Sequence, residues 1–448
     1  MKMKPSGFLG VSCCEVSRSA DDMRRPPLMG PAVVTVGLLA TMASAWALHR
    51  VMDDPSSEHS PLLRTRIGGL AYENPTVAFS LSRMHSYLSL GVPSELVRER
   101  ILSHSLAGAI GRDGRALVAD VLDYAHEIMG PKRPHRRTRK QFFNKLRQLN
   151  QLLEDHQQGY FVYAGFEWND GFKLVEQVTF DALAITDARS YRVGDRTIRT
   201  LHVERLGPAR AHPGVLGFTG PGYDDTFVIP SEIDYEVQHG LVPALSPTGE
   251  SHLFQVAPKD VDSVWYRQFR QRVADVFAAD LAPLGLSLEE AARAALTTSV
   301  EIHELQHQLD YKEKIAVRGQ FRELADLLGD LHQAATAMHE TSAHLGQLAR
   351  NPGNARVMLA AIAAYAFTDG CPGADCLAAE IILDELSAEL GRPFDKTLMR
   401  SAAYGRRAVA ERYLAITESS SAQVARAAGR VWNRLLGNSL PEVQRPHE

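Results

Sequence analysis

The chain has 448 residues, of which 45% are hydrophobic and 23% charged, and its formal net charge is −4. This composition is typical of a globular protein with a substantial core, and it lacks the concentrated basic surface of a nucleic-acid-binding protein. The one local basic stretch, residues 132–140, we interpret as a solvated loop entering a helix, with contact to an anionic surface as the alternative.

Residues 28–48 form an apolar segment without a charged residue. As a helix, this segment is long enough to cross the ~30 Å hydrocarbon core of a membrane. Arginines precede it and acidic residues follow it, which favours a body outside the cytoplasm. Small residues ending at Ala45 and Ala47 also suit signal-peptide cleavage, with Met23 as the start. We therefore expect an exported, cell-envelope protein, either membrane-anchored or secreted after cleavage near Ala45 or Ala47.

Beyond this leader, the periodicity of the apolar residues changes twice along the chain. Helical spacing gives way to short strands separated by glycine and proline, and helical spacing then returns. The predicted fold class is α+β, mainly helical, with a strand-containing middle region and an N-terminal apolar helix. The predicted divisions are a cytoplasmic leader with the apolar segment and a linker (1–60), a helical region (61–158), a strand-rich mixed region (159–258), a second helical region (259–436) and a tail (437–448).

Several strands are predicted within the mixed region. The residues from 189 to 206 have the pattern of a hairpin that turns at Gly194–Asp195. The other predicted strands occupy residues 159–168, 215–220, 225–230 and 251–258.

The second helical region contains the sequence HELQH. It places His303 and His307 four residues apart, with Glu304 directly after the first histidine. On a helix this spacing puts both imidazoles on one face, where they can bind one metal ion. The glutamate lies about 100° around the helix, where it can exchange a proton with water at the metal. We predict that both histidines bind Zn²⁺ and that Glu304 is a general base; two hydrogen-bonded surface histidines are the alternative.

The residues around the motif support a helix. Ile302, Leu305 and Leu309 fall on the side opposite the two histidines, as expected if one face packs and the other binds metal. Upstream, Ser287 is suited to cap the helix N-terminus.

A catalytic zinc ion needs a third protein ligand and leaves its fourth position for water. The best candidate is Glu340, which lies on the next predicted helix. Ala343 and Gly346 would allow this helix to approach the motif helix closely. His344 shares the face of Glu340, because it follows four residues later, and is suited to contact substrate or a developing oxyanion.

Other third ligands remain open. Glu323 and Asp326 compete with Glu340, although little chain is available to turn them back, and His339 and His344 are further candidates. Asp310 shares the histidine face but lies too far along the helix axis to reach the ion, so we assign it at most a supporting or salt-bridge role.

At these residues the chain resembles the gluzincins, zinc metallopeptidases in which a glutamate on a later helix completes an HExxH site. The resemblance covers residues 303–307 and 339–345 and does not extend to residues 61–250. It implies a zincin-like catalytic region with His303, His307 and Glu340 as ligands and Glu304 as general base.

The resemblance also implies supporting residues. Gluzincins commonly use a tyrosine or histidine to stabilise the oxyanion, which makes His344 and Tyr365 candidates. They also bind an extended peptide along a strand, for which residues 251–257 are the nearest candidate. The chain departs from the ExxxD pattern of thermolysin-like members because His344 follows Glu340. The partner of a zinc histidine is therefore open, with Asp310 and Asp369 as guesses.

Cys371 and Cys376 are close enough in sequence to close a small disulfide loop in an oxidising compartment. Two buried free thiols are the alternative.

The expected function is that of an exported or membrane-anchored zinc peptidase acting on a peptide or protein substrate, with membrane attachment through residues 28–48 if they are retained. A second hypothesis is a noncatalytic envelope protein with a structural zinc, for which His339 or His344 would supply a fourth ligand. A third is a zinc hydrolase of a non-peptide amide or ester.

Overall fold

The computed structural model of the chain describes residues 74–89, 95–129, 136–168, 176–206, 215–220, 223–256, 261, 263–313, 315–367, 373–392 and 402–444. All of them belong to one unit, Ser60–Glu448. The predicted apolar segment and both predicted cleavage sites lie outside these ranges. Within them, no helix is both long enough and apolar enough to cross a membrane.

In the described part of the chain, helices come first and lie against a sheet. They are α1 (Pro75–Ser89), α2 (Glu95–Ile101), α3 (His104–Met129) and α4 (Arg136–Asp155). Helix α3 kinks at Gly111, whose φ of +76° is left-handed. The apolar faces of these helices share one buried core with strands of the sheet, and Phe142, Leu146 and Leu149 of α4 are fully buried in it.

The sheet has five strands in the order β1-β2-β3-β5-β4. All neighbouring strands are antiparallel except β3 and β5, which are parallel. Strand β4 therefore lies at one edge, where one side of its backbone is not paired within the sheet. The strands are β1 (Tyr160–Trp168), β2 (Glu176–Val193), β3 (Arg196–Arg205), β4 (Gly217–Phe218) and β5 (Thr226–Val228).

The predicted hairpin is confirmed, with Gly194–Asp195 as the turn between β2 and β3. A two-residue turn of this kind needs positive φ, which Gly194 supplies at +61°. The predicted strand at 251–258 is wrong, because residues 251–256 form a bend and a turn. Leu253 and Phe254 are both buried, and Phe254 has a φ of +58°, so the side chains do not alternate as they would in a strand.

After the sheet the described chain is helical, as predicted. Two elements that are not α-helices interrupt it, a π-helical turn at Val237–Leu241 and a 3₁₀ turn at Ala282–Leu284. The helices are α5 (Pro230–Glu236), α6 (Val242–Ala244), α7 (Val264–Leu281), α8 (Leu288–Glu313), α9 (Gln320–Leu328), α10 (Leu331–Ala349), α11 (Ala355–Phe367), α12 (Ala374–Glu389), α13 (Ala402–Thr417) and α14 (Ser421–Leu436).

Helix α8, which carries the HELQH sequence, lies between two cores. Its N-terminal half contributes to the large core of the helical region, which also contains residues of α10, α12 and α14. Its C-terminal half places Ile302, Leu305 and Leu309 in a smaller cluster beneath the β2–β3 hairpin, as predicted from the apolar stripe. The predicted class, mainly helical with a strand-containing middle region, is thus confirmed.

Candidate metal centre

Helix α8 begins and packs as the sequence predicted. Ser287 and Glu290 form a reciprocal cap, in which the Glu290 backbone N–H donates to Ser287 Oγ at 3.3 Å and the Ser287 N–H donates to Glu290 Oε2 at 3.1 Å. The cap fixes where the helix starts, and the buried apolar stripe fixes its rotation. As a result, His303 and His307 face away from the hairpin and toward α10.

Helix α10 brings Glu340 to the two histidines. Its N-terminus is capped by Asp330, which accepts hydrogen bonds from the backbone N–H groups of His332 and Gln333. Close approach of the two helices depends on Gly346, because a Cβ there would lie only 3.2 Å from Gln306 Cγ on α8. Ala343 is also fully buried. The predicted role of Gly346 at this crossing is confirmed.

The three predicted metal ligands converge. The Nε2 atoms of His303 and His307 are 3.0 Å apart, and they lie 3.5 and 3.4 Å, respectively, from Glu340 Oε2. Ligand atoms bound tetrahedrally at 2.0–2.2 Å from zinc lie about 3.4 Å from one another. The two imidazoles and one carboxylate therefore have both the chemistry and the spacing of a zinc site.

Gln347 of α10 orients the first histidine. Its Oε1 lies 3.2 Å from His303 Nδ1, and its Nε2 donates to Ser299 Oγ at 2.5 Å. Because an amide oxygen only accepts hydrogen bonds, His303 Nδ1 carries the proton and Nε2 presents its lone pair to the other ligands. Gln347, and not the suggested Asp310, is thus the hydrogen-bond partner of His303, and Asp369 lies outside the described residues.

Glu340 and His307 each affect the pKa of the other. Burial opposes ionisation of Glu340, but the neighbouring histidines, His307 first, hold the pKa of Glu340 well below its usual range. Burial also disfavours a charged His307, yet the Glu340 carboxylate outweighs this and raises the pKa of His307 to about 9. Glu340 and His307 therefore stabilise each other's charged forms.

Glu304 lies beside the ligands and beneath the sheet edge. Its side chain is 6% exposed, and burial raises the pKa of Glu304, an effect that His303 and His307 partly oppose. Gly217 of the edge strand β4 lies directly over it, since a Cβ at Gly217 would be 2.8 Å from Glu304 Cγ. Thus β4 is a strand that borders the site, whereas residues 251–256, part of the segment predicted as the peptide-binding strand, do not form a strand.

Glu340 also belongs to a second group of side chains that could bind a metal ion. Donor atoms of Glu340, His344 and Asp375 all lie within 4.8 Å of one another. Burial, followed by the charge of His303, lowers the pKa of His344 to about 3, so this imidazole is neutral. Burial, reinforced by Glu340, raises the pKa of Asp375 to about 6.

Asp375 was not predicted from the sequence, because it lies on a helix that starts well after the motif. It occupies the first turn of α12, directly before Cys376. Cys376 is disulfide-bonded. Its predicted partner, Cys371, lies outside the described residues, so this pairing stays a prediction.

The other proposed oxyanion residue lies at the border of the site. The ring of Tyr365, on α11, is 6.1 Å from the ring of His344, and the residue is 43% exposed. The His344 ring is in turn 4.5 Å from that of His303. Both predicted residues are therefore near the ligands, with Tyr365 on the solvent side.

The competing ligands lie elsewhere. Glu323 and Asp326 are exposed on α9, and His339 belongs to neither group of converging ligand atoms among the described residues. His339 Nδ1 instead lies 3.7 Å from Asp310 Oδ2. Asp310 is fully buried and accepts a hydrogen bond from Gln306 Nε2 at 2.7 Å, in agreement with a supporting role; Asp369 lies outside the described residues.

A buried carboxylate ties the motif helix to the sheet. Glu301 is fully buried, and its Oε1 lies 2.6 Å from His202 Nε2 on β3 and 3.1 Å from Arg189 Nη1 on β2. The hydroxyl of Tyr191 also donates to it. This cluster, which the sequence did not predict, holds α8 against the hairpin two residues before His303.

Comparison with known proteins gives no relative: no family model matches the chain, and neither the curated proteins nor the solved structures yield a match.

Proposed function

We propose that the protein is a zinc-dependent hydrolase of the gluzincin type that cleaves peptide bonds. The observation that carries this proposal is the convergence of His303, His307 and Glu340, with Glu304 buried beside them. When bound, a zinc ion supplies a Lewis acid that polarises the scissile carbonyl and makes water more acidic. The zincin-like description of the helical region is part of the same proposal.

Glu304 transfers the proton from the attacking water to the leaving amine. A carboxylate next to the metal takes a proton from the attacking water and delivers it to the amine that leaves. Burial keeps the pKa of this carboxyl above its usual value, which brings it closer to neutral pH and favours both halves of the transfer. A glutamate at this position would have no role in a purely structural zinc site.

Strand β4 is suited to receive an extended peptide. Among the described residues, its two residues pair only with β5, on one side, and Gly217 brings its backbone against Glu304. A substrate that adds to the unpaired side of β4 would form backbone hydrogen bonds and pass beside the metal ligands. This arrangement favours a peptide over the alternative of a non-peptide amide or ester.

Tyr365 is the better candidate to donate a hydrogen bond to the oxyanion. Its hydroxyl is a donor at neutral pH, and the ring lies on the solvent side of His344. His344 is less suited, because its Nδ1 lies 3.1 Å from Gln347 Oε1 and its remaining Nε2 presents a lone pair.

The alternative of a structural zinc requires a fourth protein ligand to close the site. His339 is directed toward Asp310, and His344 belongs to the group formed with Asp375. The first three ligands are therefore better suited to an open site with room for water. Export of the chain, inferred from residues 28–48, stays a prediction, under which the substrate is a peptide or protein outside the cytoplasm.

The proposal is tested with the full chain, a peptide library and the Glu304→Gln variant. We expect the variant to retain zinc and to lose roughly 10²–10⁴-fold in turnover, the usual contribution of a general base. Glu313→Gln, at an exposed position of the same helix, is the matched control and should keep both. Unchanged turnover in Glu304→Gln, or no cleavage of any peptide by zinc-loaded parent, would reject the proposed mechanism.

A further inference from the structure

We infer that the site holds two divalent cations, the second one bound by His344, Asp375 and the shared carboxylate of Glu340. This inference rests on the proposed metal centre, since Glu340 belongs to both ligand sets. The observation behind it is that donor atoms of these three side chains lie within 4.8 Å of one another, directly beside the His303–His307 pair.

A single hydrogen-bond acceptor prepares both histidines as ligands. Gln347 Oε1 lies 3.2 Å from Nδ1 of His303 and 3.1 Å from Nδ1 of His344. An amide oxygen has two lone pairs and can accept both hydrogen bonds. Each imidazole is thereby fixed with its proton on Nδ1 and its lone pair on Nε2, the arrangement found in metal-bound histidines. His344 is only 7% exposed, so few other partners can reach that lone pair.

Glu340 is paired with His303 and His307, whereas Asp375 has no ion pair among the described residues. Among the described residues, the structure pairs neither Glu340 nor Asp375 with a lysine or arginine. Two partly buried carboxylates this close together repel each other unless a positive charge lies between them. An ion bound by both would remove the repulsion, and it would be held on α10 and α12 together.

Glu340 can bridge the two ions because a carboxylate has two oxygen atoms. Its Oε2 is the atom that approaches His303 and His307. Bridged ions in two-metal hydrolases are about 3.5–4 Å apart, which suits neighbouring sites that share one side chain. The second site offers one imidazole and two carboxylates, a harder donor set than the first, so we expect it to bind zinc more weakly and to accept Mn²⁺ more readily.

The test measures metal stoichiometry and magnetic coupling in the full chain. Parent and Asp375→Asn proteins are equilibrated with Zn²⁺ for elemental analysis, and with Co²⁺ for electron paramagnetic resonance. We expect two ions per chain with magnetic coupling in the parent, and one uncoupled ion in the variant. Asp326→Asn, an exposed acid on α9, is the control and should behave as the parent does.

The outcomes separate the two proposals. One ion in the parent would overturn the second site and leave the proposed function intact, whereas no ion would overturn both. Two uncoupled ions, or two ions in Asp375→Asn, would place the extra ion elsewhere and also overturn the second site. His344→Gln provides an independent variant with the same expectation, and circular dichroism establishes that both variants are folded.

Discussion

The side-chain oxygen of Gln347 lies 3.2 Å from Nδ1 of His303, so a residue on α10 orients a proposed metal ligand on α8. The same glutamine donates to Ser299 of α8, four residues before the histidine. The two helices that supply the ligands are therefore joined by hydrogen bonds directly behind the proposed ion. Such partners fix both the tautomer and the rotation of a ligating imidazole.

Gln347→Leu should weaken zinc binding. The substitution preserves approximate size but removes the acceptor for His303 Nδ1, and loss of such a partner typically lowers metal affinity 10–100-fold. Competition with a chromophoric chelator measures the change in Kd. Gln347→Glu keeps an acceptor and should retain zinc affinity near that of the parent. Equal affinity in Gln347→Leu and the parent would show that the glutamine does not support the site.

Zinc binding should become tighter as pH rises toward 9. Without a metal, the Glu340 carboxylate raises the pKa of His307 to about 9, so below that pH a proton must leave before zinc can bind. Lowering the pH favours the protonated imidazole of His307, which cannot bind zinc. The zinc affinity should therefore fall by roughly tenfold per pH unit.

Calorimetric titrations at pH 7 in two buffers of different ionisation enthalpy measure this proton. We expect about one proton released per zinc from His307. A binding enthalpy that does not depend on the buffer would mean that no proton is displaced, and that this imidazole is already neutral.

Gly217→Ala should impair catalysis while zinc is retained. The added Cβ would lie 2.7 Å from Val300 Cγ1 and 2.8 Å from both Glu304 Cγ and the backbone oxygen of Phe227, so strand β4 must shift. Because β4 borders the site, we expect turnover to fall at least tenfold, together with a loss of stability of about 1–3 kcal/mol from overpacking.

Gly353→Ala is the matched control, since a Cβ at Gly353 meets nothing within 4 Å. Peptide turnover, zinc content and thermal unfolding are measured on both variants. Parent-like turnover in Gly217→Ala would argue against a role for β4 in binding the substrate.

His202→Leu should destabilise the fold. It removes the side chain 2.6 Å from the buried carboxylate of Glu301 and leaves that charge poorly compensated. Removing one hydrogen-bond partner of a buried acceptor usually costs about 1–3 kcal/mol. Denaturant unfolding measures the loss, with His126→Leu, at an exposed position on α3, as control. Equal stability of His202→Leu and the parent would show that Arg189 and Tyr191 suffice to balance Glu301.

Local patterns in the sequence predicted the local parts of the fold. The apolar stripe of Ile302, Leu305 and Leu309 gave the rotation of α8, and the Gly194–Asp195 turn gave the β2–β3 hairpin. The prediction of a strand at 251–258 was wrong because Leu253 and Phe254 are buried by tertiary packing and not by alternation along a strand. A short apolar run cannot distinguish these cases by its pattern alone.

In the candidate site too, the residues identified by local spacing were predicted and those placed by tertiary packing were not. His303, Glu304 and His307 were identified by spacing within one helix, and Glu340 by its position on the next. Gln347 and Asp375 carry no comparable signal, because their roles depend on how α10 and α12 are placed relative to α8. The position of strand β4 beside the site was not predicted for the same reason, because its contact with α8 joins residues far apart in the sequence.

Zinc stoichiometry of the full chain, measured by elemental analysis beside its Glu340→Ala variant, tests the central claim most directly. We expect at least one zinc per chain in the parent and a loss of zinc in the variant, because His303 and His307 alone form an incomplete site. Zinc retained at the parent level by Glu340→Ala, or no zinc in the parent, would contradict it.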